Sequence, residues 1–378
     1  MGLKNKFPHR IFSPSWCNLK DMMKPFYKSV ILAFLILSMV SFHASAQRSK
    51  AGADSVTLLI DTVLKFAEQK SLYRANVNWK TLGDTVRKAA AKAGSIKESM
   101  PAMKLFYTLL KDHHGFALYE RKYYGWNPPR PKLDTTVYRA LLKQMKQMNK
   151  PFARVFNNDY GYLSIPDNNP TQRGDNEKIA TEIQQALAEI HPEKLKGLII
   201  DLRLNPGGAM FPMLGGIMNV FADGKLGTFV DPVTKTGEEW GRRGNLIYDG
   251  DETAYTLTKT LPDLHNLHIV VLIGPNTGSS GEATAISLKA RKNTYFIGEH
   301  TSGYTTANSS IQFSYNTGIF LATSVEADRN GTVYLDHVKP DLQIVGGDNF
   351  TTLSSDKKVM SVDSPLVSCT VFTRNFCI

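Results

Sequence analysis

The sequence has few cysteines and none of the common signatures of metal or nucleotide binding. Only three of its 378 residues are cysteine, and no CxxC pair or Cys/His cluster indicates structural zinc. It contains no GxxxxGK[ST] loop, no GxGxxG turn after a strand and no HExxH helix. Lysine and arginine are scattered and do not alternate with aromatic residues, which argues against nucleic-acid binding. We therefore expect no cofactor, no metal and no nucleic-acid partner.

The first 46 residues have the layout of a secretory signal peptide. Lys24 and Lys28 precede an apolar run over 30–40, and an Ala-Ser-Ala cleavage signal ends at Ala46. The run is short for a membrane span. We therefore expect cleavage after Ala46, a secreted or periplasmic protein, and only a transient encounter with the membrane. An uncleaved N-terminal anchor is the alternative.

Hydrophobic spacing and helix breakers divide the rest of the chain into four predicted segments. Apolar residues recur at helical spacing within 47–126, which predicts a small helical N-terminal subdomain. A proline-rich stretch begins 127–159, which we expect to be a linker with a short helix. Short apolar strands alternate with helices over 160–350, a pattern typical of a layered α/β domain. Residues 351–378 are predicted to be a C-terminal tail, whose end, with Cys369 and Cys377, has the pattern of an appended segment.

Two strand-turn-helix units in the α/β segment carry glycines at their turns. An Asn-Pro-Gly-Gly turn at 205–208 follows the apolar strand predicted over 196–203. A second turn, which contains Ser279 and Ser280, follows the strand predicted over 268–274. Turns of this kind present backbone N–H groups at a helix start, where the helix dipole favours negative charge. Together the two turns could hold the oxyanion of an acyl-transfer intermediate.

Ser279 is the candidate nucleophile, although its spacing has a second explanation. A serine at a helix start beside such N–H groups is where an acyl-transfer nucleophile belongs. Glu282, three residues later, also completes a capping box, and local spacing alone favours the cap. A serine nucleophile needs a base, and His113 and His114 follow a predicted helix. Paired histidines in a loop are more often surface or capping residues, so the residues by themselves leave both roles open.

Several stretches together resemble the tail-specific, or C-terminal processing, serine peptidases. Each stretch is modest alone, but all five occur in the order seen in that family, over roughly 110–345 of this chain. The stretches are Gly161-Tyr162-Leu163-Ser164-Ile165, Asp201-Leu202-Arg203-Leu204-Asn205-Pro206-Gly207-Gly208, Thr277-Gly278-Ser279-Ser280-Gly281-Glu282, Gly298-Glu299-His300-Thr301-Ser302-Gly303 and Val338-Lys339-Pro340-Asp341.

The resemblance implies both a fold and a chemistry. The family's catalytic domain is a layered α/β fold related to the crotonase and ClpP layouts. Its members cleave peptide or protein substrates through an acyl-enzyme formed on a serine. By this resemblance Ser279 is the nucleophile, and Ser280 and Gly208, with Gly207 beside it, provide the backbone N–H groups of an oxyanion hole.

Two departures indicate one branch of the family. Tyr304 stands where the better-known branch has its lysine base, and a phenol with a pKa near ~10 is a poor base at neutral pH. The segment between His114 and Tyr160 is also too short for the PDZ domain that many members insert there. Both departures favour the branch that resembles the tricorn protease core and the interphotoreceptor retinoid-binding protein repeats. That likeness implies His114 as the base and Asp336 as a late acidic residue that orients it.

Two alternatives use the same fold. One is a non-catalytic secreted protein that binds an apolar ligand, as the likeness to retinoid-binding repeats implies. The other is an esterase-type acyl hydrolase, which shares the mechanism and differs in its substrate.

Overall fold

The structure is a computed structural model that describes residues 50–170, 172–257 and 262–363. The predicted signal peptide, Cys369 and Cys377 lie outside these residues. Among the helices of the described residues, none combines the length and the apolar character needed to cross a membrane.

Eight α-helices occur within the described residues. Helix α1 covers 50–70. Five short 3-10 helices of the described residues lie at Arg74–Asn76, Pro192–Lys194, Met218–Val220, Leu353–Ser355 and Ser361–Asp363. The other helices are α2 (Trp79–Ala90), α3 (Ile96–Leu110), α4 (Arg139–Gln144), α5 (Asp175–Glu189), α6 (Met210–Gly216), α7 (Ser280–Leu288) and α8 (Lys357–Met360).

Fifteen strands of the described residues form two sheets. The nine-stranded sheet has the order β2-β1-β13-β6-β7-β8-β9, with β12 and β14 also paired to β13, and the six-stranded sheet has the order β15-β11-β10-β5-β4-β3. The strands are β1 (Phe116–Tyr119), β2 (Lys122–Gly125), β3 (Phe152–Phe156), β4 (Tyr160–Ser164), β5 (Gly197–Asp201), β6 (Gly224–Val230), β7 (Gly237–Arg243), β8 (Leu246–Asp249), β9 (Glu252–Thr256), β10 (His268–Ile273), β11 (Thr294–Gly298), β12 (Thr306–Ser314), β13 (Thr317–Asp328), β14 (Val333–Tyr334) and β15 (Leu342–Gln343).

The six-stranded sheet brings the two glycine-containing turns together. Strands β5 and β10 are neighbours and parallel, and Leu272 lies opposite Asp201 in their register. Every residue of β5 is buried, as the continuous apolar run predicts for a strand covered on both faces. Because parallel neighbours end at the same sheet edge, the turns after β5 and β10 meet there. The backbone N–H of Gly278 donates to the Asn205 carbonyl at 2.9 Å, which joins the turns directly.

The predicted helical N-terminal part is confirmed, and it packs on the nine-stranded sheet. Helices α1, α2 and α3 share a buried apolar cluster with Ile319 and Leu321 of β13. Asn78 and Ser95 cap α2 and α3 through their side-chain oxygens, as expected for these residue types. The segment predicted as 47–126 also contains the β1–β2 hairpin, which pairs antiparallel with β13 through Phe116 and Phe320. This hairpin connects the helices to the sheet that borders the site.

The segment 127–159 contributes a strand as well as the expected short helix. Strand β3 pairs antiparallel with β4 and forms an edge of the six-stranded sheet. The sequence of β3 lacks the continuous apolar pattern of a buried strand because an edge strand is partly solvated, and Phe152 and Val155 are both exposed. The boundary predicted at 160 therefore falls inside a β-hairpin.

Residues 351–363, the first part of the predicted C-terminal tail, pack against the six-stranded sheet. The buried Arg203 guanidinium lies 2.8 Å from Asp356, 2.7 Å from Asp348 and 2.6 Å from Asp201. Buried Lys358 pairs with Asp348 at 2.7 Å and with Glu299 at 3.0 Å. Buried charges require partners, so this network ties the C-terminal segment to the end of β5. Leu353, Val359 and Val362 complete an apolar layer beneath the same sheet.

Candidate active site

Ser279 lies between β10 and α7, at the N-cap of the helix. Its backbone has φ 51° and ψ −122°, a region that non-glycine residues rarely adopt. The Ser279 N–H donates to the buried Glu282 carboxylate at 2.9 Å, which holds this conformation. The cap predicted from local spacing is therefore present. The strained turn leaves the Ser279 hydroxyl on the wall of a cavity.

His114 reaches the Ser279 hydroxyl. Its Nε2 lies 2.9 Å from Ser279 Oγ, and its Nδ1 lies 2.7 Å from Thr306 Oγ1. The loop after α3 places the ring, because buried Asp112 accepts from the N–H groups of His114 (3.0 Å) and Gly115 (2.7 Å). Asp112 also accepts from a backbone N–H of β13, which anchors the loop to the nine-stranded sheet. Two residues 165 positions apart are thus in hydrogen-bond contact.

The electrostatic surroundings keep His114 neutral. Burial lowers the pKa of His114 to about 4, and the nearby charges of His113 and Arg130 act in the same direction. At neutral pH one ring nitrogen is therefore free to accept a proton. If Nδ1–H donates to Thr306 Oγ1, then Nε2 is the acceptor that faces Ser279. This arrangement is the one a general base requires.

Two backbone N–H groups beside Ser279 are available to an anion. In the described part of the chain, neither Gly208 N–H nor Ser280 N–H makes a hydrogen bond. Ser280 Oγ donates to the Gly208 carbonyl at 2.6 Å and so holds the two turns together. The predicted contribution of Gly207 is different, because its N–H already donates to Asn205 Oδ1 at 3.1 Å within the turn.

Glu282 organises the loop that contains Tyr304. Its carboxylate is fully buried, and burial raises its pKa while several hydrogen bonds oppose that rise. It accepts from Gly303 N–H at 2.9 Å, from Tyr304 N–H at 2.7 Å and from the Thr301 hydroxyl. The Tyr304 ring consequently packs on His114, with ring centroids 5.1 Å apart. Tyr304, at the position of the family's lysine, forms a wall for the histidine.

The structure does not bring Asp336 to His114. Asp336 is exposed, and the ring nitrogen that an orienting acid would occupy contacts Thr306 Oγ1 instead. His113 also points elsewhere, with its Nε2 3.2 Å from the Gly303 carbonyl. Asp336 was placed by its distance from the Val-Lys-Pro-Asp stretch, and that distance does not determine which side of a strand or loop a residue occupies.

Sequence reasoning missed Thr306 and Glu326. Nothing in the sequence around Thr306 distinguishes it from other threonines of the β-rich segment. Glu326 carried a signal, because it is a carboxylate within the otherwise mostly apolar strand β13. It is 2% exposed, and burial raises its pKa well above the ordinary value, with the nearby Glu282 carboxylate adding to the rise.

Ser279 and His114 open onto a cavity of about 1140 Å³. The C-terminal end of α1, strands of the nine-stranded sheet and the glycine turn at Gly208 line it. Within the described residues, no group of three or more His, Cys, Asp or Glu side chains is arranged to hold a metal ion. Other side chains that line the cavity are Phe116, Tyr123, Trp126, Phe229, Glu238 and Asp249.

Comparison with known proteins points to one family. Residues 159–344 match the family described as Peptidase family S41. The chain is 30% identical over 204 residues to the nisin-resistance protein of Lactococcus lactis subsp. lactis, covering 53% of this chain and 61% of that protein. It is 27% identical over 163 residues to the carboxy-terminal-processing protease of Bartonella bacilliformis, which covers 41% of this chain and 33% of that protein. The matched parts thus span less than two thirds of both relatives.

A solved structure supports the fold. A lipoprotein from Streptococcus agalactiae superposes with a TM-score of 0.58 at 23% sequence identity, covering 77% of this chain and 91% of that one. The predicted layered α/β class is confirmed, as is the resemblance to tail-specific serine peptidases. Residues 159–344 of this chain are therefore similar to peptidase family S41.

Proposed function

We propose that this protein is a serine peptidase in which Ser279 is the nucleophile and His114 the general base. The observation that carries the proposal is the 2.9 Å contact between His114 Nε2 and Ser279 Oγ, beside two unoccupied N–H groups. A capping serine has no need of a buried neutral histidine. The combination of nucleophile, base and anion site on one cavity wall supports acyl transfer.

The reaction follows from the positions of these atoms. His114 Nε2 takes the hydroxyl proton as Ser279 Oγ bonds to the peptide carbonyl carbon, and the C=O π electrons move to oxygen. The resulting oxyanion accepts hydrogen bonds from Gly208 N–H and Ser280 N–H. When it collapses, the C–N bond breaks and the amine leaves with the proton from His114. Water then attacks the acyl-enzyme by the same route and releases the acid.

Thr306 takes the orienting role that was predicted for Asp336. In the proposed tautomer, the Thr306 hydroxyl accepts from His114 Nδ1–H across 2.7 Å and leaves Nε2 free. A hydroxyl stabilises the transient imidazolium less than a carboxylate does, since it carries no charge.

The proposal is tested by covalent labelling of the folded protein. A fluorophosphonate probe should add to the wild-type chain at Ser279, as measured by intact mass and peptide mapping, and the Ser279→Ala variant should stay unlabelled. Peptide and ester substrates assayed in parallel separate a peptidase from an esterase-type hydrolase. Absence of labelling, together with an apolar ligand retained in native mass spectra, would favour the binding-protein alternative.

Gly208→Ala should disrupt the proposed oxyanion site. A Cβ at Gly208 would lie 1.6 Å from the Asn168 carbonyl oxygen, and its φ of 119° disfavours any side chain. The turn must therefore move, and we expect kcat/KM to fall about 10²–10³-fold, the usual effect of losing one oxyanion donor. Gly331→Ala is the matched control, because Gly331 also has positive φ (86°) but open space around it. Comparable losses in the two variants would contradict the proposed role.

We also propose that the protein is exported and acts outside the cytoplasm on a peptide or protein substrate. The proposal rests on the predicted signal peptide. N-terminal sequencing of the exported protein should give a chain that begins at Gln47. A mature protein that retains the apolar run would instead support the anchored alternative.

A further inference from the structure

One wall of the cavity is rich in carboxylates. Four acidic side chains line it, whereas Lys70 is the one lysine or arginine among the described lining residues. The four are Asp231, Glu238, Asp249 and Glu326. Asp231 is neutralised by Arg74 at 2.5 Å, so three remain for consideration.

Sheet register places two of these carboxylates in one row. Glu326 lies opposite Phe229 in the pairing of β13 with β6, and Phe229 lies opposite Glu238 in the pairing of β6 with β7. Directly opposed residues share a face of a sheet, so all three side chains face the cavity. Glu238 also covers Gly250, because a Cβ on that glycine would lie 2.5 Å from Glu238 Oε1. Asp249 lies opposite Trp240 in the pairing of β7 with β8, and Trp240, two residues after Glu238, shares its face, so the row continues to Asp249.

These carboxylates lack cationic partners within the described residues. Only 2% of the Glu326 surface is exposed, and its buried Oε2 has no hydrogen-bond partner. Asp249 Oδ1 is likewise buried without a partner, and Glu238 forms no ion pair. Burial and the neighbouring carboxylates of Glu238 and Glu252 raise the pKa of Asp249 to about 6. Glu238 is exposed and Asp249 is half-buried, whereas Glu326 is buried, and an unpaired buried carboxyl is costly until a donor or cation reaches it.

The row begins close to the reacting serine. Glu326 N–H donates to the Thr305 carbonyl at 3.1 Å, and the hydroxyl of the next residue, Thr306, lies 2.7 Å from His114 Nδ1. Glu326, His114 and Ser279 line the same cavity. When the scissile carbonyl of a bound peptide lies at Ser279, the peptide side chains next to that carbonyl would therefore contact this wall.

We propose that the row Glu326, Glu238 and Asp249 binds a cationic side chain, lysine or arginine, of the peptide substrate close to the scissile bond. Phe229, between the two glutamates, packs against the aliphatic stem of that side chain while the carboxylates receive its charged end. The inference rests on the proposed function for its choice of ligand, since it names the class of peptide cleaved.

Binding and turnover should be measured separately. Full-length Ser279→Ala protein is titrated with two labelled, acetylated and amidated decapeptide pools that lack other charged residues. One pool has lysine at a fixed central position and the other has norleucine, and fluorescence anisotropy gives both affinities. We expect the lysine pool to bind at least about tenfold tighter, the effect of one effective ion pair at this site. Glu238→Gln in the same background should bring the ratio toward one.

Glu239→Gln is the matched control, because Glu239 is the next residue of β7, points to the opposite face and pairs with Lys225 at 3.2 Å. It should leave the lysine-to-norleucine ratio unchanged. Equal binding of the two pools, or equal effects of the two substitutions, would overturn the inference. A lysine preference in binding with no cleavage by the protein that retains Ser279 would refute the proposed peptidase instead. Cleavage without any lysine preference would refute only the cationic subsite.

Discussion

Replacing Ser279 with alanine should lower kcat/KM for peptide hydrolysis by about 10³-fold or more. The substitution removes the atom that bonds to the carbonyl carbon, so the acyl-enzyme route is lost. The backbone N–H groups of Gly208 and Ser280 remain, and they account for whatever rate enhancement persists. The fold should survive because the Glu282 contact to residue 279 uses the backbone N–H, which alanine retains.

The comparison with Ser280→Ala separates the two serines of the turn. That variant keeps the Ser280 N–H and loses only the 2.6 Å hydrogen bond from its hydroxyl to the Gly208 carbonyl. Its activity should fall less than that of Ser279→Ala, and fluorophosphonate labelling should persist. We would measure kcat/KM of both variants by steady-state kinetics on a peptide pool and verify folding by circular dichroism. Near wild-type turnover by Ser279→Ala would eliminate the proposed mechanism.

The pH profile should identify His114 as the base. A general base acts only when unprotonated, and burial lowers the pKa of His114 to about 4. We therefore expect kcat/KM to stay level down to about pH 5 and to fall as pH drops through about 4. A solvent-exposed histidine would give an acid limb near pH ~6.5. His114→Ala should lose activity to an extent similar to Ser279→Ala, because the two residues act as a unit.

Controls must separate titration from unfolding. The unfolded chain binds a proton on His114 near pH ~6.5, whereas the folded chain binds it only near pH 4, so stability also declines as pH falls between these values. Circular dichroism at each pH establishes the folded range. His113→Ala is the matched variant, since its ring faces the Gly303 carbonyl at 3.2 Å, and it should cost far less activity. An acid limb near pH 6.5, or equal losses in both histidine variants, would argue against His114.

Much of the fold was predictable from local patterns. The apolar runs of β5 and β10 and the glycines after them identified the strand-turn-helix units, because burial on both faces demands continuous hydrophobicity. The edge strand β3 was missed because half-solvated strands lack that signature. The ion pairs that join Arg203 to Asp356 and Glu299 to Lys358 could not be predicted, since the two partners of each pair lie far apart along the chain.

The sequence by itself determined the α/β class, the helical N-terminal part and the two turns, because these depend on local periodicity and on glycine conformations. It also singled out Ser279 and His114 as candidates through an ordered set of motifs. Only the tertiary structure decided that the 2.9 Å contact exists, that Thr306 occupies the position expected for Asp336, and that Glu326 and Glu238 share one wall. Those relations arise from strand order and register, which bring distant residues together and which no local spacing encodes.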